Sequence, residues 1–350
     1  MDDDNSQVLR GNTISCTMQV LLQHDPMSAD HPSGASAHAA AVSASGSGSG
    51  SASTAAAGAA TAALAVPPLP PLNAFVLLRA LFRRPRRKPG ARTPRTVFRL
   101  DAIDPAHLRR YRQALGFRDA GIPLTYFYLL AQRAQVATML DQDFPFRLPG
   151  AVHTENALRL EGSPRPGIPL LLSTSVSIRP PLENGAVYAT LDTVGEQDGA
   201  PLFSCRSTYL VVRGDGARQG ARKGSRPGAH GASLPVLKGW RLARASGRAY
   251  AAVSGDWNPI HLWGWSARLM GMKRPIIHGM HTLARASAGL EDAAGRPVTA
   301  LAGRFKAPAP LGSDLVLGAD LEHGAFAVSS AGRVLAEGSF ELAGRQPGDD

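Results

Sequence analysis

Residues 250–261 read Tyr250-Ala251-Ala252-Val253-Ser254-Gly255-Asp256-Trp257-Asn258-Pro259-Ile260-His261, and a second stretch reads Arg274-Pro275-Ile276-Ile277-His278-Gly279-Met280. Gly255 and Pro259 punctuate the first stretch as a turn, and Pro259 biases Asn258 away from helix. A loop is therefore expected, and a loop allows Asp256 and His261 to converge on one point. On a helix, residues five apart would diverge by about 140°. In the second stretch Pro275 opens an apolar, helix-like run. There Gly279 offers a backbone N–H near a helix N-terminus, a natural seat for developing negative charge.

The order Tyr250, Ser254, Gly255, Asp256, Asn258, Pro259, Ile260, His261, Ala267, His278, Gly279, Met280 resembles the motif of the MaoC-like, R-specific enoyl-thioester hydratase family. The bland alternative makes Asp256 a helix cap and His261 a satisfied core histidine; twelve matching positions in order favour the motif. The resemblance implies a hotdog fold, in which a curved sheet wraps a central helix. Pro123-Leu124-Thr125-Tyr126, Asp143-Phe144-Pro145-Phe146 and Gly150 through Asn156 resemble, more narrowly, the first half of bacterial double-hotdog (3R)-hydroxyacyl-thioester dehydratases. Gln132-Arg133 departs from that subfamily, whose residues here are apolar, with an expected effect on acyl-chain accommodation rather than chemistry. His153 and Asn156 read as polar groups at a turn and a strand end.

Two halves with the same element order are legible. Thr96 to Leu100 reads as a short strand. Asp104-Pro105 carries an N-cap and a first-turn proline for a helix that has Leu108, Tyr111 and Leu115 on one face and ends near Gly116. A longer apolar helix is expected over 126–140. Period-two patterning follows around 157–160, 171–178, 187–193 and 202–212, as for antiparallel strands. In the second half the run after Pro275 supplies the helix, and 315–321, 326–330 and 334–342 the strands. Tyr111-x4-Gly116 corresponds to Tyr250-x4-Gly255, an internal duplication. In the first copy Phe117 stands in place of Asp256 and Tyr126 falls opposite His278. The first unit has thus lost its acid–base residues and is expected to wall the substrate pocket. A helix apolar nearly all round must be buried, and a one-sided sheet can bury it. The expected class is α+β, a double hotdog forming a pseudo-dimer.

The expected organisation is a low-complexity tail with a basic arm over 1–95, a degenerate unit over 96–212, a basic Gly-rich linker over 213–233, a catalytic unit over 234–343 and a short tail over 344–350. Residues 28–65 are nearly all Ala, Ser, Gly and Thr, too poor in apolar surface to offset ordering entropy. Net charge is +11. A block of Arg83, Arg84, Arg86, Arg87, Lys88, Arg92 and Arg95 contributes to it and reads as a solvated arm, ahead of a membrane-surface or acidic-partner contact and of nucleic-acid binding. No nucleic-acid motif accompanies the block. Excess positive charge suits thioesters carried on phosphorylated groups, coenzyme A or acyl carrier protein, through long-range steering. Cys16 and Cys205 form no disulfide framework or metal site. No apolar run is long enough to span a bilayer, and Met-Asp-Asp-Asp fits neither a signal nor a transit peptide; a cytoplasmic location and no stable membrane insertion follow as expectations. A monomeric pseudo-dimer and a homodimer both remain open.

The resemblance implies reversible hydration of trans-2-enoyl thioesters and dehydration of (3R)-3-hydroxyacyl thioesters. Asp256 and His261 would be catalytic, with Gly279 as oxyanion donor and Asn258 as support for the loop or the thioester. Ser254, His278 and Ser287 are candidates for pocket lining. No cofactor or metal is required: His261, His278 and His281 lack a cysteine or carboxylate at ligand spacing. A hotdog thioesterase and a non-catalytic acyl-thioester-binding protein are the alternatives. Neither calls for a paired Asp and His.

Overall fold

The computed structural model describes residues 66–85, 94–119, 121–214 and 234–344. The expectations for residues 1–65, for Arg86, Arg87, Lys88 and Arg92 of the basic block, for most of the 213–233 linker and for 345–350 lie outside them. In chain order the elements are α1 (Ala74–Phe82), β1 (Arg95–Leu100), α2 (Pro105–Leu115), α3 (Leu124–Met139), β2 (Val152–Leu160), β3 (Leu170–Ile178), β4 (Val187–Gln197) and β5 (Ala200–Val212). The second half contributes β6 (Val236–Arg241), α4 (Ser246–Ser254), a 3-10 turn Pro259–His261, α5 (Gly264–Leu269), α6 (Gly279–Ala294), β7 (Val298–Phe305), β8 (Asp314–Asp320), β9 (Ala325–Ser330) and β10 (Arg333–Leu342).

All ten strands form one sheet in the order β1-β3-β4-β5-β2-β7-β10-β9-β8-β6. Read from each end inward, the halves follow the same path: first strand, third, fourth, fifth, second. The two second strands meet in the middle, antiparallel, with Ala157 opposite Ala302 and Leu158 opposite Leu301. Arg304 donates to Glu155 across this junction at 2.9 Å. The duplicated order legible in the sequence is therefore a duplicated sheet, its halves joined where the equivalent strands β2 and β7 pair.

Each half wraps its sheet on a long helix. Every residue of α3 except Arg133 and Ala137 is buried, as its all-round apolar sequence requires. α6 is buried from Met280 to Leu290 apart from Arg285. The tyrosine–glycine correspondence also holds in space. Tyr111 and Tyr250 are buried, and Gly116 and Gly255 end their helices with left-handed φ of 81° and 75°, a conformation glycine takes without strain.

Three expectations need correction. α6 begins at Gly279 rather than at Pro275. Ile276 and Ile277 are held extended because their N–H groups donate to Ile260 O at 3.2 Å and Ala309 O at 2.9 Å. Matching the caps of the two 16-residue helices sets Pro123, not Tyr126, opposite His278, and Leu124 opposite Gly279. Strands β6 and β7 carry no clear period-two signal, because Gly239 interrupts one and small Ala and Gly residues dull the other.

The third correction concerns residues 66–85, which composition assigns to the flexible tail; they are built into the fold. Leu69 N–H donates to Arg99 O at 2.7 Å and Arg99 N–H to Pro67 O at 2.9 Å, so the proline-rich run covers the free edge of β1, where prolines end further pairing. Arg133 holds the same run through Pro70 O at 2.9 Å and Leu69 O at 2.7 Å. Asn73 caps α1, accepting from Val76 N–H. The Arg83 guanidinium is likewise no solvated arm: it donates to the carbonyls of Leu140, Phe146, Asp141 and Phe144 after α3. The physical cue is the apolar density of 72–82, which the neighbouring Pro and Arg runs conceal.

Candidate active site

The turn after α4 carries Asp256 and leads to His261. Gly255 ends the helix, and a Cβ there would lie 2.3 Å from Leu72 O, so the 66–85 segment passes directly over the turn. Ser254 Oγ accepts from Asp256 N–H at 3.2 Å. Asp256 Oδ1 accepts from Asn258 N–H at 3.2 Å. Asn258 Oδ1 then caps the 3-10 turn by accepting from Ile260 N–H at 3.3 Å. These short-range bonds are the usual work of Asp and Asn in turns. They carry the chain from Asp256 to His261 in one compact loop. Gly247 of α4 packs against the end of that loop, where a Cβ would lie 1.9 Å from His261 O.

Asp256, Asn258, His261, His278 and Gly279 line one cavity of about 500 Å³. His261 Nδ1 lies 2.9 Å from Ile276 O. A carbonyl only accepts, so Nδ1 carries the proton and Nε2 keeps its lone pair. The ring stacks on His278 with centroids 3.7 Å apart. His278 in turn donates from Nε2 to Asp256 O at 2.9 Å. Burial, and then the neighbouring His278, hold His261 well below the usual imidazole range, against the opposing pull of Asp256 and the Ile276 carbonyl. Burial lowers His278 as well. Both rings are therefore neutral at pH 7.

Gly279 is the first residue of α6, and the first N–H groups of a helix lack intrahelical partners. A Cβ on Gly279 would meet the Phe305 ring at 2.7 Å, so only glycine brings this backbone so close. Leu124 stands at the equivalent position of α3, whose first turn has no such cavity-facing glycine.

Two predicted pocket residues lie elsewhere. Ser254 is buried in the last turn of α4 and acts on the turn rather than on the cavity. Ser287 is fully buried and sits eight residues beyond Gly279, about 12 Å along the helix. The cavity reaches only the first turn of α6, at Gly279, Met280 and Thr282.

The first half contributes more than a wall. Along α3, Tyr128, Gln132, Val136 and Met139 line the cavity on one face. Gln132 Nε2 donates to Asp256 Oδ2 at 3.1 Å. Beyond the expected place at the acyl cavity, Gln132 thus also contacts the Asp256 carboxylate; its spacing from Tyr128 and Val136 was the available signal. His153, expected at a strand end, is buried between Tyr128 and Tyr209, with ring centroids at 5.9 and 4.6 Å, and meets Phe305 edge-on at 5.2 Å. Burial lowers its pKa to about 4. Ala74, Leu78 and Ala80 of α1 complete the lining.

Among the described residues no group of three or more His, Cys, Asp or Glu is placed to hold a metal ion, and no helix is long and apolar enough to cross a membrane.

The MaoC-like domain family matches residues 228–336. The 3-hydroxyacyl-thioester dehydratase X of Mycobacterium tuberculosis is 30% identical over 196 residues, covering 54% of this chain and 67% of that protein. A crystal structure of HtdX from that organism superimposes with a TM-score of 0.57 at 24% identity, over 71% of this chain and all of that one. The peroxisomal multifunctional enzyme type 2 of Drosophila melanogaster gives a TM-score of 0.52 at 18% identity, covering 72% of this chain and 48% of its own; it is similar in fold.

Proposed function

Since the chain belongs to the MaoC-like dehydratase family, we propose that it is a hydro-lyase, interconverting trans-2-enoyl and (3R)-3-hydroxyacyl thioesters by adding or removing water. The observation that carries this reading is the fixed tautomer of His261. Its Nδ1–H is committed to Ile276 O, so Nε2 is a base in the cavity that also holds the Asp256 carboxylate and the start of α6.

In hydration, Asp256 and His261 hold one water between them. The water oxygen bonds to C3, the C2–C3 double bond opens toward C2, and the pair returns the water proton to C2 on the same face. The Gly279 N–H stabilises the thioester oxygen as it gains enolate charge, a contribution whose loss typically costs roughly 100-fold or more in rate. Dehydration reverses each step. Asn258 keeps the loop in register through its own bonds to Asp256 and Ile260. The acyl chain runs along the α3 face from Gln132 toward Met139, about 10 Å, and Leu78 of α1 closes the far wall.

Coenzyme A or acyl carrier protein carries the acyl group, favoured by the positive net charge; the duplicated sheet supports a monomeric pseudo-dimer. Incubation with crotonyl-coenzyme A tests the reading. The enoyl absorbance should decay without release of free thiol, whereas a thioesterase would release thiol and a binding protein would do neither. Asp256→Asn and His261→Gln should each lower kcat by roughly 10²–10⁴-fold while the protein stays folded. Near-normal rates in both would refute the site.

A further inference from the structure

Gln132 is 7% exposed and lies on α3, in the half that lost its acid–base residues. Asp256 is a carboxylate, which only accepts, so the Gln132 amide must present Nε2 to it. The opposite atom, Oε1, is buried without a hydrogen-bond partner. Leaving such an acceptor unpaired is destabilising, and an apolar side chain would fill this helix face without that penalty. The arrangement thus sacrifices stability for a single bond, the one to Asp256 Oδ2 at 3.1 Å.

The two Asp256 oxygens are consequently held from different halves of the molecule. Oδ1 is fixed by its own loop, through Asn258 N–H at 3.2 Å. Oδ2 is fixed by a helix buried on nearly every side. One anchor from a six-residue loop leaves the carboxylate free to rotate about that bond; a second, from a rigid element, sets its plane.

We propose that Gln132 is a positioning residue that orients the Asp256 carboxylate, so that the degenerate half completes the catalytic site of the other. The proposal rests on the hydro-lyase reading, and its effect is on the chemical step rather than on substrate binding. Misplacement of a reacting group by about 1 Å can cost 10²-fold in rate.

The test compares wild type, Asp256→Asn, Gln132→Leu, Gln132→Met and Gln132→Glu for melting temperature and for kcat and KM over a pH series with an enoyl thioester. Gln132→Leu and Gln132→Met should lower kcat by roughly 10- to 100-fold with KM little changed and with melting temperature equal to or above wild type. Gln132→Glu sets one carboxylate against another, and two such groups in contact do not both stay ionised as pH falls. Its kcat, relative to wild type, should recover on acidification as the introduced carboxyl takes up a proton and again donates. Wild-type kcat in the Leu and Met variants, or losses in KM alone, would overturn the proposal. So would a Gln132→Glu profile parallel to wild type. An inactive wild type would instead refute the hydro-lyase reading, and an active Asp256→Asn the assignment of the acid–base pair.

Discussion

The Nδ1 of His261 and the carbonyl oxygen of Ile276 lie 2.9 Å apart, and this bond leaves Nε2 as the unprotonated nitrogen of the neutral ring. Because burial and His278 keep the ring neutral, the base form is retained well below the ordinary imidazole value of 6.5. The kcat/KM for hydration, which reports groups of the free enzyme, should hold steady from pH 8 down through 6.5. An acid limb at or above 6.5 in a pH–rate profile would contradict a buried neutral base.

Gly279 and Phe305 test the amide donor. Gly279→Ala sets a methyl group 2.7 Å from the Phe305 ring, and overpacking of this kind costs about 1–3 kcal/mol. The displaced first turn of α6 should lower kcat by about 100-fold. Phe305→Leu in the same chain gives the methyl room, and should restore much of both stability and rate because the backbone N–H is still present. Thermal melts and steady-state kinetics of the single and double variants would check this.

Leu78 and Arg83 test the wall that α1 provides. Leu78→Ala enlarges the far end of the cavity, so activity should shift toward longer acyl chains in a series of enoyl thioesters. Arg83→Ala removes four donations to carbonyls after α3, and should cost about 1–3 kcal/mol. Short substrates should be turned over as before, while KM for long ones rises. A chain-length profile unchanged in both variants would remove α1 from the acyl site.

Stability should fall with acidification. His153 and His281 are lowered to about 4 and about 3, mainly by burial, and His261 and His278 are lowered too. Below about pH 6.5 the unfolded chain binds protons that the folded chain refuses, so these groups stabilise fully above that pH and progressively less below it. Glu291, raised to about 7 by burial, acts oppositely: its contribution is present below 4.5 and lost as pH rises through about 7. Four histidines outweigh one carboxyl, so melting temperature should drop from pH 7 to pH 5. His153→Phe keeps the stacking with Tyr128 and Tyr209, removes one titrating group, and should make that drop shallower in melts run across the same range.

The sequence by itself determined the repeated run of helix and strands in the two halves, the two long buried helices, and the loop that carries Asp256 and His261, while α1, β6 and β7 escaped it. Each rests on local rules: Asp104 and Gly116 bound α2, Gly255 and Pro259 break the chain between α4 and the 3-10 turn, and a helix apolar on all sides has nowhere to go but the core. That Gly279 lies near a helix N-terminus was legible too, because a His-Gly pair is a local feature, although the helix itself was expected from Pro275. Only the tertiary structure decided that β2 meets β7, that Gln132 reaches Asp256 across 124 residues of chain, that Leu72 packs over the Gly255 turn and that Leu78 lines the cavity. Those contacts join residues whose neighbours in sequence say nothing about them. Propensity and spacing act over a few residues, whereas the packing of one half against the other is settled by the whole sheet closing on its two helices.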